Sequence, residues 1–116
     1  SHRIEEILFV SNTTIYISGH ENNYERSCPI FNGQCQNNKS NLRSNYKLNE
    51  LYPIHIVTGG AGNKEGLSDF AKNTHEFSIF RRKEYGFGLL YANFTHLIWT
   101  QKGTHGNVID EFVINV

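Results

Sequence analysis

The chain has 116 residues, a length that suits one domain. Its 11 Lys and Arg residues balance 11 Asp and Glu residues, which argues against a nucleic-acid partner, because binding to a phosphate backbone needs a clustered basic face. No uninterrupted apolar run is longer than four residues, whereas a helix needs roughly 20 to cross a membrane. The sequence therefore predicts no membrane span.

The first part of the chain predicts a helix, a strand and a polar loop. Apolar residues at helical spacing, with two glutamates in the first turn, predict a short helix at 4–10. The β-branched and aromatic run at 13–18 predicts a strand that Gly19 ends, and 20–26 follow as a polar loop. In open α/β sheets, sites form at the carboxyl ends of strands. Because the chain enters this helix without an initiator Met, we expect it to be a piece of a longer chain whose targeting segment lies upstream.

The remainder predicts mainly strands. Residues 32–51 are rich in Asn, Ser, Lys and Gln and are interpreted as an exposed excursion. Residues 53–58 give the strongest strand pattern, and the sequence GGAG at 59–62 predicts a tight turn or a close backbone approach. A helical turn is expected around 67–72. Further strands are predicted at 77–81, 86–92, 95–101 and 107–116, the last two forming a hairpin across 102–106.

Sequons and cysteines favour a secretory or lysosomal compartment. Asn12, Asn38 and Asn93 each begin an Asn-X-Ser/Thr sequon and are candidate glycosylation sites. The chain has 14 Asn residues, so any one sequon can arise by chance and be an unmodified surface Asn. Cys28 and Cys35 flank a turn-prone Asn-Gly pair that could bring the thiols together in a disulfide. A zinc site is disfavoured there, because two cysteines without a nearby His supply too few ligands.

The loop at 19–26 is the main candidate for chemistry, because it holds His, Asn, Tyr, Glu and Arg in a short span. In extended backbone, His20 and Asn22 project to the same side, roughly 6.5–7 Å apart, and could address two neighbouring metal ions. The alternative is that His20 makes a hydrogen bond within the loop and that Glu25 pairs with Arg26 or another base. The residues alone leave both open.

Five segments of the chain resemble purple acid phosphatases in one collinear order. The first is similar to the last metal-ligand block of that family, a Gly-His-X-His segment followed by Tyr-Glu-Arg and a Pro-containing strand. The second resembles the C-terminal signature of the family, and the likeness is to its long, secreted animal and plant type. The segments are GHENNYERSCPIFNG at 19–33, PIHIVTGGAGNKEGL at 53–67, YGFGL at 85–89, NFTHL at 93–97 and VID at 108–110.

The resemblance implies a binuclear metallophosphoesterase that hydrolyses phosphate monoesters at acidic pH. In that family a ferric ion lies beside a divalent zinc, manganese or iron, and a metal-bound hydroxide attacks phosphorus in line. The first His of the Gly-His-X-His block binds the divalent metal, which carries over to His20. The resemblance also gives Tyr24, Glu25 and Arg26 a supporting role, orienting the ligand loop by hydrogen bonds.

The second ligand position of that block departs from the family, because Asn22 stands where the ferric ligand is a His. An amide oxygen can coordinate a hard cation, but it is neutral and less basic than imidazole, so ferric binding should be much weaker. The remaining family ligands come from motifs N-terminal to this block and are not in this sequence. Alone, the chain is therefore expected to bind no metal, and it needs the N-terminal part of the same protein as a partner.

Other residues that could carry chemistry have simpler structural interpretations. His55 lies in an alternating strand and is expected to be a packed or sheet-face histidine. The glycines at 59–62 lack the Lys-Ser/Thr of a P-loop, so a tight turn explains them better than phosphate binding. His96 and Trp99 are expected to pack within a strand.

We therefore expect a mixed α/β (α+β) fold, strand-rich with one N-terminal helix, forming the C-terminal part of a two-sheet metallophosphoesterase sandwich. The expected divisions are a metal-ligand block at 1–31, an exposed loop at 32–52 and the family C-terminal region at 53–116. The expected function is the C-terminal segment of a secreted acid phosphatase. The alternative is a non-catalytic secreted glycoprotein domain that keeps the fold without binding metal.

Overall fold

The computed structural model of the chain describes residues 2–19, 21–36, 45–48, 52–62, 64–70 and 78–116. Within these ranges the chain forms a helix, α1, followed by strands β1 to β9. Their bounds are α1 His2–Val10, β1 Ile15–Ser18, β2 Tyr24–Phe31, β3 Gln34–Cys35, β4 Asn45–Lys47, β5 Ile54–Thr58, β6 Ser78–Arg82, β7 Gly86–Ala92, β8 His96–Gly103 and β9 Val108–Asn115. Among the described residues, no helix has the length and apolarity that a membrane crossing requires.

Two mixed sheets make up the fold. The first has the order β1-β5-β2-β3, and β6 also pairs with β2. The second has the order β4-β9-β8-β7. Strands β1 and β5 run parallel, with Ile15 opposite Ile54, so that their carboxyl ends lie at the same edge of the first sheet. The predicted two-sheet, strand-rich architecture with one N-terminal helix is confirmed.

The core lies between the two sheets. Most of it is built from alternate strand residues, since every second side chain of a strand points to the same face. The first sheet contributes Tyr24, Ile54 and Ile56, and the second contributes Tyr46, Trp99, Ile109, Phe112 and Ile114.

Helix α1 packs against the hairpin of β2 and β3. Glu5 is 7% exposed, and its carboxylate accepts a hydrogen bond of 2.7 Å from the backbone N–H of Gly33. The ring of Phe9 lies 4.8 Å from that of Phe31. The helix ends at Val10, and Asn12, two residues later, has a positive φ of 57°, the left-handed conformation common after a helix.

The β2–β3 hairpin carries the predicted disulfide. Asn32 and Gly33 both have positive φ, 54° and 70°, as a tight two-residue turn requires. Cys28 and Cys35 are bonded across this hairpin, with their Cα atoms 5.6 Å apart. The Asn-Gly turn and the disulfide that the sequence predicted are therefore both present.

Most predicted elements are present, with ends displaced by no more than two residues. The exceptions are the polar loop at 20–26 and the exposed excursion at 32–51. Strand β2 begins inside the first, at Tyr24, and the second contains β3 and β4. Tyr46 of β4 is 2% exposed, because β4 pairs in parallel with β9 and brings this ring into the core. The expected helical turn at 67–72 is not helical over 67–70, and its last two residues lie outside the described ranges.

Candidate functional site

The predicted metal-ligand loop joins β1 to β2 at the edge where β1 and β5 both end. His20, the predicted ligand of the divalent metal, lies outside the described residues. Asn22, which is half-buried, and the buried Asn23 are described. The loop predicted to form the site therefore lies at the carboxyl ends of two parallel strands, the position at which α/β sheets form binding sites.

The glycine-rich turn after β5 packs directly beneath this loop. The backbone N–H of Gly59 donates a hydrogen bond of 3.1 Å to the carbonyl of Asn23. A Cβ atom at Gly59 would lie 2.0 Å from the carbonyl oxygen of Glu21 and 2.6 Å from that of Gly19. Gly59 therefore allows a backbone approach that no side chain permits, which confirms the predicted close approach. Gly62 has a φ of 104°, as expected of a turn.

Ser68 also holds this loop through hydrogen bonds, and the sequence did not predict these contacts. Its backbone N–H donates to the carbonyl of Asn22 at 2.9 Å, and its hydroxyl accepts from the N–H of Asn22 at 3.2 Å. The side-chain amide of Asn23 donates to the carbonyl of Ser68 at 3.3 Å. Both backbone groups of Asn22 are thus held by one residue. A lone Ser in a polar stretch gives no sequence signal for this contact.

The described residues do not by themselves fit a metal ion. No group of three or more His, Cys, Asp or Glu side chains within the described ranges is placed to hold one. At this edge of the sheet, the loop offers the amide of Asn22, a neutral ligand, and the carboxylate of Glu21. A binuclear centre needs several carboxylate and imidazole ligands, so we derive no chemical step through a metal from this chain.

Tyr24 and Arg26 point away from the loop and into the interface between the sheets. Arg26 forms a buried ion pair with Asp110, with contacts of 2.7 Å from Nε to Oδ2 and 3.0 Å from Nη2 to Oδ1. The Tyr24 hydroxyl donates to Asp110 Oδ2 at 2.7 Å and accepts from the Trp99 indole N–H at 3.2 Å. Arg26 also donates to the hydroxyl of Tyr46 at 3.2 Å. These side chains join the two sheets.

Burial and charge set the ionisation of this network. Burial raises the pKa of the Tyr24 phenol, and the neighbouring Asp110 carboxylate raises it further. Burial alone would lower the pKa of Arg26, but its hydrogen bonds and ion pair with Asp110 outweigh that effect and leave the pKa raised. Tyr24 is therefore a neutral hydrogen-bond donor, and Arg26 a permanent cation. The prediction that the two residues orient the metal-ligand loop stays a prediction.

Glu25 points to the opposite face of the sheet and forms an ion pair with Arg81 at 2.6 Å. The pair lies at a cleft of about 430 Å³ that is also lined by Glu21 and Asn23 of the loop. Of the three side chains predicted to support the loop, Tyr24, Glu25 and Arg26, Glu25 is therefore the one that lies beside it. The interpretation that it pairs with a base holds, but its partner is Arg81 rather than Arg26.

The remaining residues weighed for chemistry lie away from the loop. His55 is a sheet-face histidine, as predicted, and its ring packs edge-on against Tyr16 at 5.5 Å. Trp99 is buried in the core, also as predicted. His96 is only partly buried at the start of β8, and its Nδ1 lies 2.8 Å from the Thr95 hydroxyl.

Two of the three predicted glycosylation sites fall within the described residues. Asn12 and Asn93 are both exposed, the first after α1 and the second between β7 and β8. Asn38 lies outside the described residues. Modification of any of the three stays a prediction.

Comparison with known proteins identifies the family. Residues 52–111 match the model of the family described as iron/zinc purple acid phosphatase-like protein C. A solved purple acid phosphatase from yellow lupin (Lupinus luteus) seeds superposes with a TM-score of 0.83 and 34% sequence identity, over 97% of this chain and 19% of that one. This chain therefore belongs to the purple acid phosphatase-like family and has the fold of its C-terminal domain.

Relatives with similar sequences include proteins named as acid phosphatases and proteins named as probable inactive purple acid phosphatases. Purple acid phosphatase 18 of Arabidopsis thaliana is 34% identical over 93% of this chain and 22% of its own length. Human acid phosphatase type 7 is 32% identical over 93% of this chain and 25% of its own length. Probable inactive purple acid phosphatase 27 of Arabidopsis thaliana is 42% identical over 83% of this chain and 15% of its own length. The chain thus spans about a quarter or less of these relatives.

Proposed function

We propose that this chain is the C-terminal segment of an acid phosphatase that hydrolyses phosphate monoesters, and that it contributes the last metal-ligand loop. In this proposal His20 binds the divalent ion and Asn22 faces the ferric ion of a centre whose other ligands lie in the N-terminal part of the same protein. The second ion is zinc, manganese or iron. When bound, the two ions would supply a hydroxide nucleophile and neutralise charge on the phosphate.

The observation that carries this proposal is the way the loop is held. Ser68 binds both backbone groups of Asn22, and Gly59 lies directly against the carbonyl of Glu21. A metal ligand works best on a backbone that is fixed before the metal arrives. A loop whose role was merely to connect β1 to β2 would not need contacts from two separate segments.

Exposed apolar side chains support a partner segment beside α1 and β1. Ile7 and Val10 of α1 are 58% and 76% exposed, and Ile17 of β1 is 45% exposed. Exposed apolar side chains mark an interaction surface where they are contiguous. In the longer relatives the N-terminal part of the chain is available to cover such a surface.

The disulfide and the sequons support an oxidising, secretory location. Cys28 and Cys35 are bonded, and structural disulfides persist outside the cytosol. We propose a secreted or lysosomal glycoprotein, with Asn12, Asn38 and Asn93 as the sites available for glycans.

One observation favours a second function. Asn22 stands where the resemblance to the family puts the His that binds the ferric ion, and three of the matched relatives are named probable inactive purple acid phosphatases. The second candidate is therefore a non-catalytic secreted glycoprotein that keeps the fold and has lost metal binding.

Hydrolysis of a chromogenic phosphate monoester at acidic pH by the full-length protein separates the two candidates. The phosphatase proposal expects turnover that His20→Ala reduces at least tenfold and that Asn22→His increases. His96→Ala, at the far end of β8, is the matched control and should leave the rate unchanged. Absence of turnover in both the natural protein and Asn22→His, with the fold intact by circular dichroism, would establish the non-catalytic candidate.

A further inference from the structure

Two side chains of opposite charge meet on the outer face of the first sheet, beside the candidate loop. Glu25 of β2 lies opposite Arg81 of β6 in the strand register. This face is turned away from the core, because Tyr24 and Arg26, the neighbours of Glu25 in β2, both bind the inward Asp110. Glu25 and Arg81 therefore contact each other in the cleft of about 430 Å³ that the loop also lines.

Arg81 is held in two ways. Its Nε donates to Oε2 of Glu25 at 2.6 Å, and the two side chains are 19% and 20% exposed. The guanidinium also lies over the ring of Phe70, 4.7 Å from the ring centroid. A cation this close to an aromatic face is attracted by the negative charge that the ring presents there. Arg81 therefore joins strand β2 to Phe70, which lies outside the strands.

The segment at 67–70, here called the brace, carries the residue that holds the loop. Ser68 exchanges hydrogen bonds with both backbone groups of Asn22. At the start of the brace, Leu67 lies against the turn after β5, because a Cβ atom at Gly60 would be 3.2 Å from the Cδ2 atom of Leu67. At its end is the ring that the guanidinium covers. Both ends of the brace are thus anchored, and the hydrogen bonds to the loop leave from between the anchors.

A second ion pair reaches the brace from an exposed position. Lys83 Nζ lies 2.5 Å from Oδ1 of Asp69, and the two side chains are 47% and 85% exposed. Exposed ion pairs contribute little to stability, because water screens the charges and both side chains lose freedom. The mostly buried contacts of Arg81 are therefore the stronger attachment of this end of the brace.

We propose that Arg81 is a positioning residue for the candidate metal-ligand loop. By pairing with Glu25 and lying on Phe70 it fixes the brace, and the brace then holds the backbone of Asn22 in one place. A ligand loop works best when the residues that support it are themselves locked by packing and hydrogen bonds. The effect on catalysis rests on the proposed function, whereas the effect on the loop rests on these contacts alone.

Amide hydrogen exchange in the full-length protein, stripped of metal with a chelator, tests the effect on the loop. The N–H of Asn22 donates to the Ser68 hydroxyl, so its exchange rate reports whether the brace is in place. Mass spectrometry with electron-transfer fragmentation reads this single amide. We expect Arg81→Met and Phe70→Leu to speed its exchange by about tenfold. Phe70→Tyr keeps the ring and should restore the natural rate. Lys83→Met is the matched control, because it removes the exposed ion pair of the same segment, and it should change nothing.

Exchange in β8 and β9 distinguishes a local effect from general unfolding. The proposal expects faster exchange at Asn22 with the amides of β8 and β9 unchanged. Unchanged exchange at Asn22 in either Arg81→Met or Phe70→Leu would overturn it. Equal acceleration across β8 and β9 would also overturn it, because the contact would then stabilise the whole fold rather than the loop.

Turnover of a chromogenic phosphate monoester by the metal-loaded full-length protein tests the consequence for catalysis. We expect Arg81→Met to lower kcat by about tenfold and to change KM by less than about twofold, because it shifts the loop without touching the substrate. Lys83→Met should change neither constant. A natural kcat in Arg81→Met would overturn the positioning role. Absence of turnover in the natural protein would contradict the phosphatase proposal alone, because the exchange experiment needs neither metal nor substrate.

Discussion

Arg26 of the first sheet and Asp110 of the second form a buried ion pair with two contacts, of 2.7 and 3.0 Å. Their side chains are 2% and 6% exposed. The guanidinium also lies 5.0 Å from the centre of the Phe112 ring. The two sheets of the sandwich are thus joined by a charged contact within an otherwise mainly apolar core.

Removal of one partner of this pair should be strongly destabilising. Arg26→Met leaves the Asp110 carboxylate buried without its cation, and we expect a loss of about 3–5 kcal/mol in the free energy of unfolding. The double change Arg26→Met, Asp110→Leu should recover most of that loss, because no charge then remains uncompensated. Urea unfolding measures both. A single variant as stable as the natural chain would show that the pair does not join the sheets.

Gly59 should be essential to the candidate loop. Gly59→Ala places a Cβ atom 2.0 Å from the Glu21 carbonyl, so the loop must move. We expect a loss of about 1–3 kcal/mol in stability and changed amide resonances in residues 19–23. Gly19→Ala is the matched control in the same loop, because its Cβ would meet nothing closer than 3.9 Å. Equal effects of the two changes would contradict the proposed packing.

The disulfide should contribute measurably to stability. Cys28 and Cys35 close a short loop, seven positions apart in sequence, and the chain-entropy relation gives roughly 2.5 kcal/mol for a loop of this size. We expect the double change of both cysteines to Ser to lower the free energy of unfolding by about that amount. Reduction of the natural chain with dithiothreitol should have the same effect and no effect on the double variant.

Stability should fall on acidification because of His55. Burial lowers the pKa of this ring below its ordinary 6.5, against a smaller opposing effect of Glu5, and its Nε2 is buried without a partner among the described residues. The unfolded chain then binds a proton more readily than the folded one. The stabilising contribution is therefore complete above about pH 6.5 and declines as the pH falls toward the folded-state pKa.

Urea unfolding between pH 7.5 and 5 checks this expectation. His55→Gln should flatten the decline, whereas His105→Gln, at an exposed position of the β8–β9 turn, should not. If stability declines with the same slope in the His55 variant, groups other than His55 cause the decline.

The sequence predicted β5, whose inward residues are apolar, and missed the start of β2, whose inward residues include an arginine. Strand β5 alternates Ile54 and Ile56 toward the core, and its pattern was clear. Strand β2 places Tyr24 and Arg26 toward the core. An arginine at an inward position interrupts the apolar alternation that predicts a strand, so this segment was interpreted as a polar loop. That partner, Asp110, is 84 residues away, a distance over which local patterns carry no information.

The position of the candidate loop was predicted from the sequence, but the contacts that hold the loop were not. Its position after β1 followed from the strand pattern and from Gly19. The hydrogen bonds between Ser68 and Asn22 could not be predicted, because the two residues are 46 positions apart and the bonds involve backbone atoms that every residue has. The short strand β4 was missed as well, since its three residues become a strand only by pairing with β9.

The metal content of the full-length protein, purified from cells supplied with iron and zinc, manganese or additional iron, tests the phosphatase proposal most directly. We expect two metal ions per chain, with at least one iron, and loss of the divalent ion in His20→Ala but not in His96→Ala. A folded full-length protein that contains no metal, or one whose metal content His20→Ala leaves unchanged, would contradict the proposal.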